Sequence, residues 1–478
     1  MENKTIKNLL LIVSGLLLFA YIIWRACFLS FTHDESSTYT IITENSEWKY
    51  KANNHLLNTH LMEVSQSLFG KSELASRLPN VLAFVLYFIV FVYLMKPVKN
   101  ILIVILGIAI VLLNPFLLDF FSLARGYGLS FAFMMLSMFF LLRDSFKDIP
   151  HKRFLFNFGF SMLFATLSIY ANFGTMNYYI ACFGIFVIFY LYQFIRNTDV
   201  AYRKPVLFIV LAVIFVIPVI LSMKRLFLID ELGDLIIGEL SFSYAIDSFI
   251  SSSFYSQQYP QWLFILIKYL LILFIPLGVT LVVLKKDYFG KLSILLVLIS
   301  MIISGFFMEH YLFQVKYPAE RTALFFVPII GMIAVYMAVH INKYYPSIAK
   351  VNSLIISVVS IFLIIHFFLS ANLKYTQTWK YDAYTKDAMK YVKENIPQDG
   401  EMRTISNDWV YEPTINFYID TWNIPLHKAN RSGVRLNTDF IYRYNKKDEL
   451  AGYEVVKEYQ IETQLLKAVE KNEEIIDK

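Results

Sequence analysis

The sequence predicts an α-helical polytopic membrane protein with a small soluble α/β domain at its carboxyl end. Hydrophobic residues occupy 57% of the 478 positions, and Phe (44) and Tyr (32) are abundant. One soluble core cannot hide that much apolar surface, so most of it is expected to face lipid. The apolar residues lie in long runs within residues 1–370, whereas the tail 371–478 is charged and mixed in polarity. We therefore predict a transmembrane domain over 1–370 and a soluble domain over 371–478.

The net charge and the cysteines argue against several other classes of protein. A formal charge of +6 is modest, and the excess of basic residues fits cytoplasmic loops better than a nucleic-acid site. No nucleic-acid partner is predicted. Cys27 and Cys182 both lie in apolar runs without a CxxC or Cys/His spacing, which argues against a disulfide framework or a zinc site. No cofactor is predicted; a divalent metal is compatible with the sequence, but no ligand motif indicates one.

Apolar runs long enough to cross a ~30 Å hydrocarbon core recur about eleven times. The first run lacks a small-x-small cleavage site and is followed by further spans, so we interpret it as a retained signal anchor. The runs lie near 9–30, 79–95, 101–118, 128–142, 154–170, 175–195, 205–223, 261–284, 292–309, 323–340 and 352–370.

The charges of the connecting segments predict the topology. Basic residues concentrate in alternate connections, and the positive-inside rule places these in the cytoplasm. They are Lys4, Lys7, Lys96, Lys99, Arg143, Lys152, Arg153, Arg196, Arg203, Lys204, Lys285, Lys286, Lys291, Lys343 and Lys350. The segments then predicted to be external are 31–78, 119–127, 224–260, 310–322 and 371–478. We predict a plasma (inner) membrane protein with a cytoplasmic amino terminus and an external, periplasmic carboxyl domain.

The first external loop, 31–78, is long and semi-apolar, which is typical of functional loops. Its apolar residues recur at mixed helical spacing after Asn53 and Asn54, which can begin a helix. We expect one or two short helices in the membrane interface, with Leu and Phe in lipid. The polar residues expected to face water are His55, His60 and Glu63.

An acidic pair stands at the start of this loop. The segment FTHDESSTY places His33, Asp34 and Glu35 directly after the first span. Acids that face water at a membrane surface are common, so a solvated loop is the simplest interpretation of this segment alone. Its neighbours favour a functional site instead.

Three further clusters of charged residues fall in the predicted external segments. An isolated arginine at a helix end is more often an anchor that reaches the interface. Three basic clusters on the same side as the acidic pair favour a site, and the glycines of the second cluster allow its backbone to pass close to another group. The clusters are Glu73 and Arg77 in GKSELASRLPN, Asp119, Arg125 and Tyr127 in LLDFFSLARGYGLS, and Lys316, Glu320 and Arg321 in KYPAERTALFFVP.

This combination suits a lipid-linked sugar, which carries an anionic phosphate or diphosphate at headgroup depth. Guanidinium groups bind phosphate through charge-assisted, often bidentate, hydrogen bonds. Because phosphate is a good leaving group, the transfer has less need of a general acid, and one carboxylate that takes the proton of the acceptor hydroxyl can suffice. Asp34 or Glu35 fits that role.

Three short motifs carry a family resemblance: HDE after the first span, SRLPN at the second and ARGY before the fourth. The chain resembles the GT-C superfamily of polyprenyl-phosphate-dependent glycosyltransferases, in particular its protein O-mannosyltransferase and aminoarabinose-transferase branches. The resemblance implies a GT-C-like fold, a catalytic base in the Asp-Glu pair, donor-phosphate arginines, and an external soluble domain. Together with the charged clusters, it leads us to predict catalytic Asp34 and Glu35, donor-phosphate ligands Arg77, Arg125, Arg321 and Tyr127, and candidate substrate contacts His33, His55, Asp119, Lys316 and Glu320.

The predicted activity is inverting transfer of a sugar from a polyprenyl-phosphate donor to an external acceptor. The sequence does not name the sugar, nor whether the acceptor is a protein, a glycolipid or a glycan. Where relatives carry His-Pro-Pro or Lys-Pro-Pro, this chain has NNHLLNTHLM, so His55 is the counterpart without the prolines. The alternative is a transporter or flippase of lipid-linked saccharides, which also needs many spans and interfacial arginines. Transporters more often place charges at mid-membrane, where this chain has Lys268 as an exception.

The tail shows local patterns of a small α/β domain. DAMKYVKENI predicts an amphipathic helix, MRTISND a strand and EPTINFYI a further short element. It has no phosphate-binding glycine loop and no nucleophile elbow. We assign the tail to acceptor contact or packing.

Overall fold

The computed structural model describes residues 2–44, 53–196, 200–231, 238–444, 450–461 and 463–469. Helices dominate this part of the chain, and a small sheet lies near the carboxyl end. The helices are α1 (Glu2–Phe28), α2 (His33–Glu44), α3 (Leu56–Phe69), α4 (Glu73–Met95), α5 (Ile101–Gly107), α6 (Pro115–Asp119), α7 (Gly126–Leu142), α8 (His151–Ala171), α9 (Met176–Arg196), α10 (Val206–Glu231), α11 (Phe242–Ser253), α12 (Gln261–Lys285), α13 (Lys291–Phe313), α14 (Phe326–Tyr344), α15 (Ala349–Ser370), α16 (Thr385–Asn395) and α17 (Glu412–Trp422). The strands are β1 (Ile405–Asn407), β2 (Phe440–Tyr444), β3 (Tyr453–Tyr459) and β4 (Thr463–Ala468).

Nine of the described helical segments are long and apolar enough to cross a membrane. This confirms a multi-pass membrane protein, because each segment can satisfy its own backbone hydrogen bonds in lipid. Two other predicted spans form shorter apolar helices, Ile101–Leu112 and Gly126–Leu142, so the count of eleven is not confirmed. The nine are Lys4–Phe28, Glu73–Met95, His151–Ala171, Phe173–Arg196, Val206–Arg225, Gln261–Lys285, Lys291–Phe313, Glu320–Tyr344 and Pro346–Ser370.

The apolar run 101–118 does not form the single continuous helix that its composition predicts. Helix α5 passes into a π-helical turn, Ile108–Leu112, and the chain then starts α6. The side chain of Asn114 accepts a hydrogen bond from the Leu117 backbone N–H at 2.9 Å, and Pro115 occupies the first turn. A side-chain cap followed by proline is a strong helix start, so the helix is interrupted here although the residues remain apolar.

The predicted first external loop contains two helices, α2 and α3. Residues 45–52 between them lie outside the described part of the chain. In α3 the apolar side chains of Val64, Leu68 and Phe69 are exposed, as expected for a helix that faces lipid at the interface. The prediction of one or two short helices in this loop is confirmed.

The chain divides into two compact units. The first comprises Met1–Ile23, Tyr50–Met62 and Arg77–Ala371. Most of the apolar helices belong to it, and hydroxyl groups between them bond to one another. Ser168 lies 2.9 Å from Ser130 and 3.0 Å from Thr175, all three buried. Such pairing satisfies polar groups that would otherwise be costly to bury.

The second unit comprises Trp24–Lys49, Glu63–Ser76 and Asn372–Lys478. Its sheet has the order β1-β2-β4-β3, with β1 parallel to β2 and the other two pairs antiparallel. Helix α2 lies against α17, and Phe31, just before α2, stacks on Phe417 of α17 with ring centroids 3.9 Å apart. Three predictions for the tail are confirmed: DAMKYVKENI lies in α16, MRTISND contains β1 and EPTINFYI forms most of α17. The domain boundary at 370 and the external location of the tail remain predictions.

Candidate active site

The first turn of α2 carries the acidic pair, and one acid of the pair, Glu35, caps the amino terminus of the helix. The Thr32 backbone N–H donates to Glu35 Oε2 at 3.0 Å, and the Glu35 N–H donates to Thr32 Oγ1 at 3.4 Å. This reciprocal arrangement is a capping box, which satisfies two N–H groups at a helix start. Glu35 is fully buried, and Asp34 is 7% exposed. The Glu35 carboxylate therefore stabilises the start of α2.

A third carboxylate, Asp382, joins this turn within the second unit. The His33 backbone N–H donates to Asp382 Oδ2 at 2.7 Å, and Asp382 is almost fully buried. Burial raises the pKa of Asp382 well above its usual range; hydrogen bonds from His33 and Thr414 oppose this rise, while the charges of Asp34 and Glu35 add to it. Asp382 was not predicted as a site residue, because its position beside α2 depends on tertiary packing.

The side chain of His33 is oriented by the backbone of the tail. Its Nδ1 lies 2.7 Å from the carbonyl oxygen of Val410. A carbonyl can only accept, so Nδ1 carries the proton, and in the neutral ring Nε2 keeps the lone pair. The ring also meets Trp409 edge to face, with centroids 6.1 Å apart. His33 can therefore accept a hydrogen bond from a hydroxyl through Nε2.

In the first unit, arginines gather around the segment Asn53–Asn54–His55. Arg125 donates to both oxygens of Asn53, at 3.1 Å for the backbone carbonyl. Arg225 donates to the Asn54 carbonyl at 2.5 Å. From the sequence, Arg225 is only a second-choice phosphate ligand behind Arg77, Arg125 and Arg321, because its one signal is its position with Lys224 in the basic pair that ends the apolar run of α10.

His55 lies in the middle of this group and is 8% exposed, so the prediction that it faces water is wrong. Burial, together with the charges of Arg125, Arg321 and Arg225, lowers the pKa of His55 well below its usual range. The ring is therefore neutral at neutral pH. Within the described residues its Nε2 has no hydrogen-bond partner. We call Arg125, Arg225 and Arg321 the arginine cluster.

Glycine allows the backbone to approach this site closely. A Cβ on Gly126 would lie 1.9 Å from the Ala171 carbonyl oxygen and 2.7 Å from His55 Cβ, so no other residue fits without a shift. The close approach expected for ARGYG is confirmed here. The next residue, Tyr127, meets the His55 ring edge to face, with centroids 5.0 Å apart.

The remaining predicted residues are distributed over the first unit. Arg77 is fully buried in α4. Asp119 is buried and accepts hydrogen bonds from the Tyr255 hydroxyl at 2.8 and 3.0 Å. Lys316 is half-buried and precedes Tyr317, whose backbone pairs with that of Glu239. Glu320 is exposed, has a φ of +46°, and bonds through its N–H to Ser248 Oγ.

The structure thus brings together His55, Tyr127, Arg125 and Arg321 in the first unit, and His33, Asp34 and Glu35 in the second. In the part of the chain that the structure describes, no three His, Cys, Asp or Glu residues lie close enough to bind a metal ion. Chemically, the first unit offers a group of positive charges that can bind an anion, and the second unit offers a group of carboxylates at a helix start.

Comparison with solved structures identifies the architecture. ArnT from Cupriavidus metallidurans in the apo state superposes over 97% of this chain and 98% of its own, with a TM-score of 0.55 and 11% identity. The chain has a GT-C fold. The fold class predicted from the sequence is therefore confirmed.

Two other GT-C structures match with lower scores. ArnT bound to undecaprenyl phosphate gives a TM-score of 0.48 at 10% identity and covers 97% of this chain and 98% of its own. The archaeal oligosaccharyltransferase AglB from Archaeoglobus fulgidus, in complex with an inhibitory peptide and a dolichol-phosphate, gives 0.45 at 12% identity and covers 93% and 70%. No protein-family model and no curated protein sequence matches the chain.

Proposed function

We propose that this protein is an inverting glycosyltransferase that moves a sugar from a polyprenyl-phosphate donor to an acceptor on the external side of the inner membrane. The observation that carries the proposal is the arginine cluster around a buried, neutral His55. Three guanidinium groups whose charges act on one buried residue are suited to bind an anionic phosphate.

The arginine cluster meets the electrostatic demand of the reaction on the donor side. When the bond between the sugar C1 and the phosphate oxygen breaks, the electron pair leaves with the polyprenyl phosphate. Guanidinium groups held in place by Asn53 and Asn54 stabilise that charge without having to reorganise. A neutral His55 adds no charge to the cluster. Its one N–H is engaged with the Ala171 backbone, so Nε2 can only accept a hydrogen bond, for example from a hydroxyl of the sugar.

On the acceptor side, Asp34 acts as the general base. The acceptor hydroxyl oxygen attacks C1 on the face opposite the phosphate, and its proton passes to the Asp34 carboxylate, so the configuration at C1 inverts. Glu35 is engaged in the capping box and holds α2 in position. His33, with its lone pair on Nε2, is suited to orient the acceptor hydroxyl.

The test measures binding of undecaprenyl phosphate to the purified protein by native mass spectrometry. Arg125→Lys, Arg225→Lys and Arg321→Lys each keep the charge and remove the planar fork, so a variant that contacts the phosphate should bind at least about tenfold more weakly. Arg203→Lys is the matched control, because Arg203 is exposed and lies outside the cluster.

Normal binding by all three cluster variants would place the phosphate elsewhere and remove the support for the proposal. A loss shared equally by Arg203→Lys would point to a general change in the protein instead of a local contact, and would also count against it.

A further inference from the structure

A basic cavity lies at the other end of α7 from Arg125. It has a volume of about 470 Å³ and is formed by the segment after α7 and the turn between α12 and α13. The charged side chains that line it are Arg143, Asp144, Lys147, Lys286, Asp287 and Lys291. Helix α7 has 17 residues, so at 1.5 Å per residue the cavity is about 25 Å from the arginine cluster along its axis.

The two carboxylates of the cavity already have partners. Asp144 Oδ2 accepts from Arg153 Nε at 2.8 Å and from Asn157 at 2.9 Å. Asp287 Oδ2 lies 3.3 Å from His340 Nδ1. Asp144 Oδ2 also lies 3.9 Å from Arg143 Nε, so it offsets part of the positive charge. The four cations still outnumber the two acids, and the cavity keeps a net positive charge.

Lys291 is the cation held deepest in this group. It is half-buried at the start of α13, with Nζ 3.5 Å from the Tyr336 hydroxyl and 5.3 Å from the centre of its ring. Among the described residues no carboxylate lies within ion-pair distance of Nζ. A partly desolvated ammonium in this position gains from an added anion.

The turn between α12 and α13 is rigidly built. Lys286 ends α12 in the left-handed conformation, with φ +52°. A Cβ on Gly290 would lie 2.6 Å from a carboxylate oxygen of Asp287, so a larger residue there would displace that side chain. Ser293 Oγ donates to the Asp287 carbonyl. These contacts keep Lys286 and Lys291 at the same cavity.

We propose that this cavity binds a phosphate group, either from the headgroup of an anionic phospholipid or from a soluble phosphate compound. Basic pockets between membrane helices recognise anionic headgroups in this way, and the cavity lies on the side that the charge pattern predicts to be cytoplasmic. The site is separate from the arginine cluster and does not depend on the proposed transferase activity.

The test uses the full-length protein in phosphatidylcholine nanodiscs, with two probes. One arm adds phosphatidylglycerol to the nanodiscs, and the other adds inorganic phosphate to the buffer; binding is followed by native mass spectrometry and by the shift in Tm. The double variant Arg143→Gln with Lys291→Gln is compared with Lys96→Gln with Lys99→Gln. Lys96 and Lys99 are exposed, have the same predicted sidedness and lie outside the cavity.

We expect binding to fall at least about tenfold in the cavity variant and to stay near wild type in the control. Dependence on phosphatidylglycerol alone identifies a lipid headgroup, and dependence on inorganic phosphate identifies a soluble ligand. Absence of binding in both arms, or equal losses in both variants, overturns the proposal. If the cavity variant does not insert, Lys147→Gln with Lys286→Gln, at exposed positions, replaces it and must show the same difference from the control.

Discussion

Asp34 and Glu35 are adjacent in sequence, yet their carboxylates have different surroundings. The Glu35 carboxylate accepts the Thr32 N–H and is fully buried, whereas Asp34 retains a small exposed fraction. A base that must meet a substrate hydroxyl needs access, so Asp34 is the better candidate.

We predict that Asp34→Asn lowers turnover by at least about 100-fold, the usual contribution of a general base, while binding of undecaprenyl phosphate is unchanged. Asn is close to Asp in size, so insertion and yield should be normal. Two quantities are measured for each protein: the rate of sugar transfer and the affinity for the sugar-free lipid. The donor for the transfer assay is the lipid that co-purifies with the protein or is found by lipid screening.

Glu35→Gln is the companion variant. Its amide oxygen can still accept the Thr32 N–H, so we expect a folded protein with a much smaller loss of turnover. An inactive Glu35→Gln beside an active Asp34→Asn would exchange the two roles. If both variants remained active, the acidic pair would have only a structural role.

At the scale of elements, two sets of hydrogen bonds within the second unit fix the start of α2. The capping box uses residues within the first loop, and Asp382 of the tail accepts the His33 N–H. The loop and the tail of this unit therefore both position the acidic pair. Because Asp382 can be protonated, its contribution to stability depends on pH.

We predict that protein stability falls as pH rises above about 4, the usual pKa of an unfolded Asp, because burial raises the pKa of Asp382 in the folded state. Between the unfolded and folded pKa values the native protein holds one more proton than the unfolded chain, so raising the pH favours unfolding. Asp382→Asn cannot ionise but still accepts from His33, so its Tm should depend less on pH than that of the wild type.

Asp387→Asn is the control for this pH series, since Asp387 is exposed in the same segment of the tail. Its Tm profile should run parallel to that of the wild type. Parallel profiles for Asp382→Asn as well would show that Asp382 does not titrate differently in the folded state.

Most helices were predictable from the sequence, whereas the break within the run 101–118 and the tertiary contacts between elements were not. Uniformly apolar runs predicted most of the spans, because length and hydropathy suffice for a helix in lipid. The break at Asn114 depended on one cap, which hydropathy does not record. Asp382 was not predicted and Arg225 was only a second-choice candidate, because each reaches its partners across many residues of sequence.

Lys268 illustrates how a neighbouring element changes the meaning of a charge. In sequence it was an ionisable residue near the middle of a span. In the structure its Nζ lies 2.7 Å from Asp247 Oδ1 on α11 and 2.8 Å from Ser243 Oγ. An ion pair between α12 and α11 accounts for Lys268 without a transport pathway, which weakens the transporter alternative.

At the scale of the whole molecule, the transferase proposal depends on which side of the membrane each segment faces. The acidic pair and the tail belong to one compact unit. If the tail is external, then Asp34 meets acceptors outside the cell. If the tail is cytoplasmic, the proposed acceptor side is wrong even though the fold is unchanged.

We predict that the tail is external and that the connection between the second and third predicted spans is cytoplasmic. In a Cys27→Ala background, a cysteine at Lys390 should react with an impermeant thiol reagent in intact cells, and a cysteine at Lys99 should react only after lysis. Both positions are exposed, so access to the reagent is decided by the membrane and not by packing.

Cys182 is buried, and hydrogen bonds with Ser137 and Ser161 surround its thiol, so it should stay unlabelled in both conditions. Labelling of the Lys99 position in intact cells, with protection at Lys390, would reverse the topology: the acidic pair would then face the cytoplasm, and the acceptor would have to be sought there.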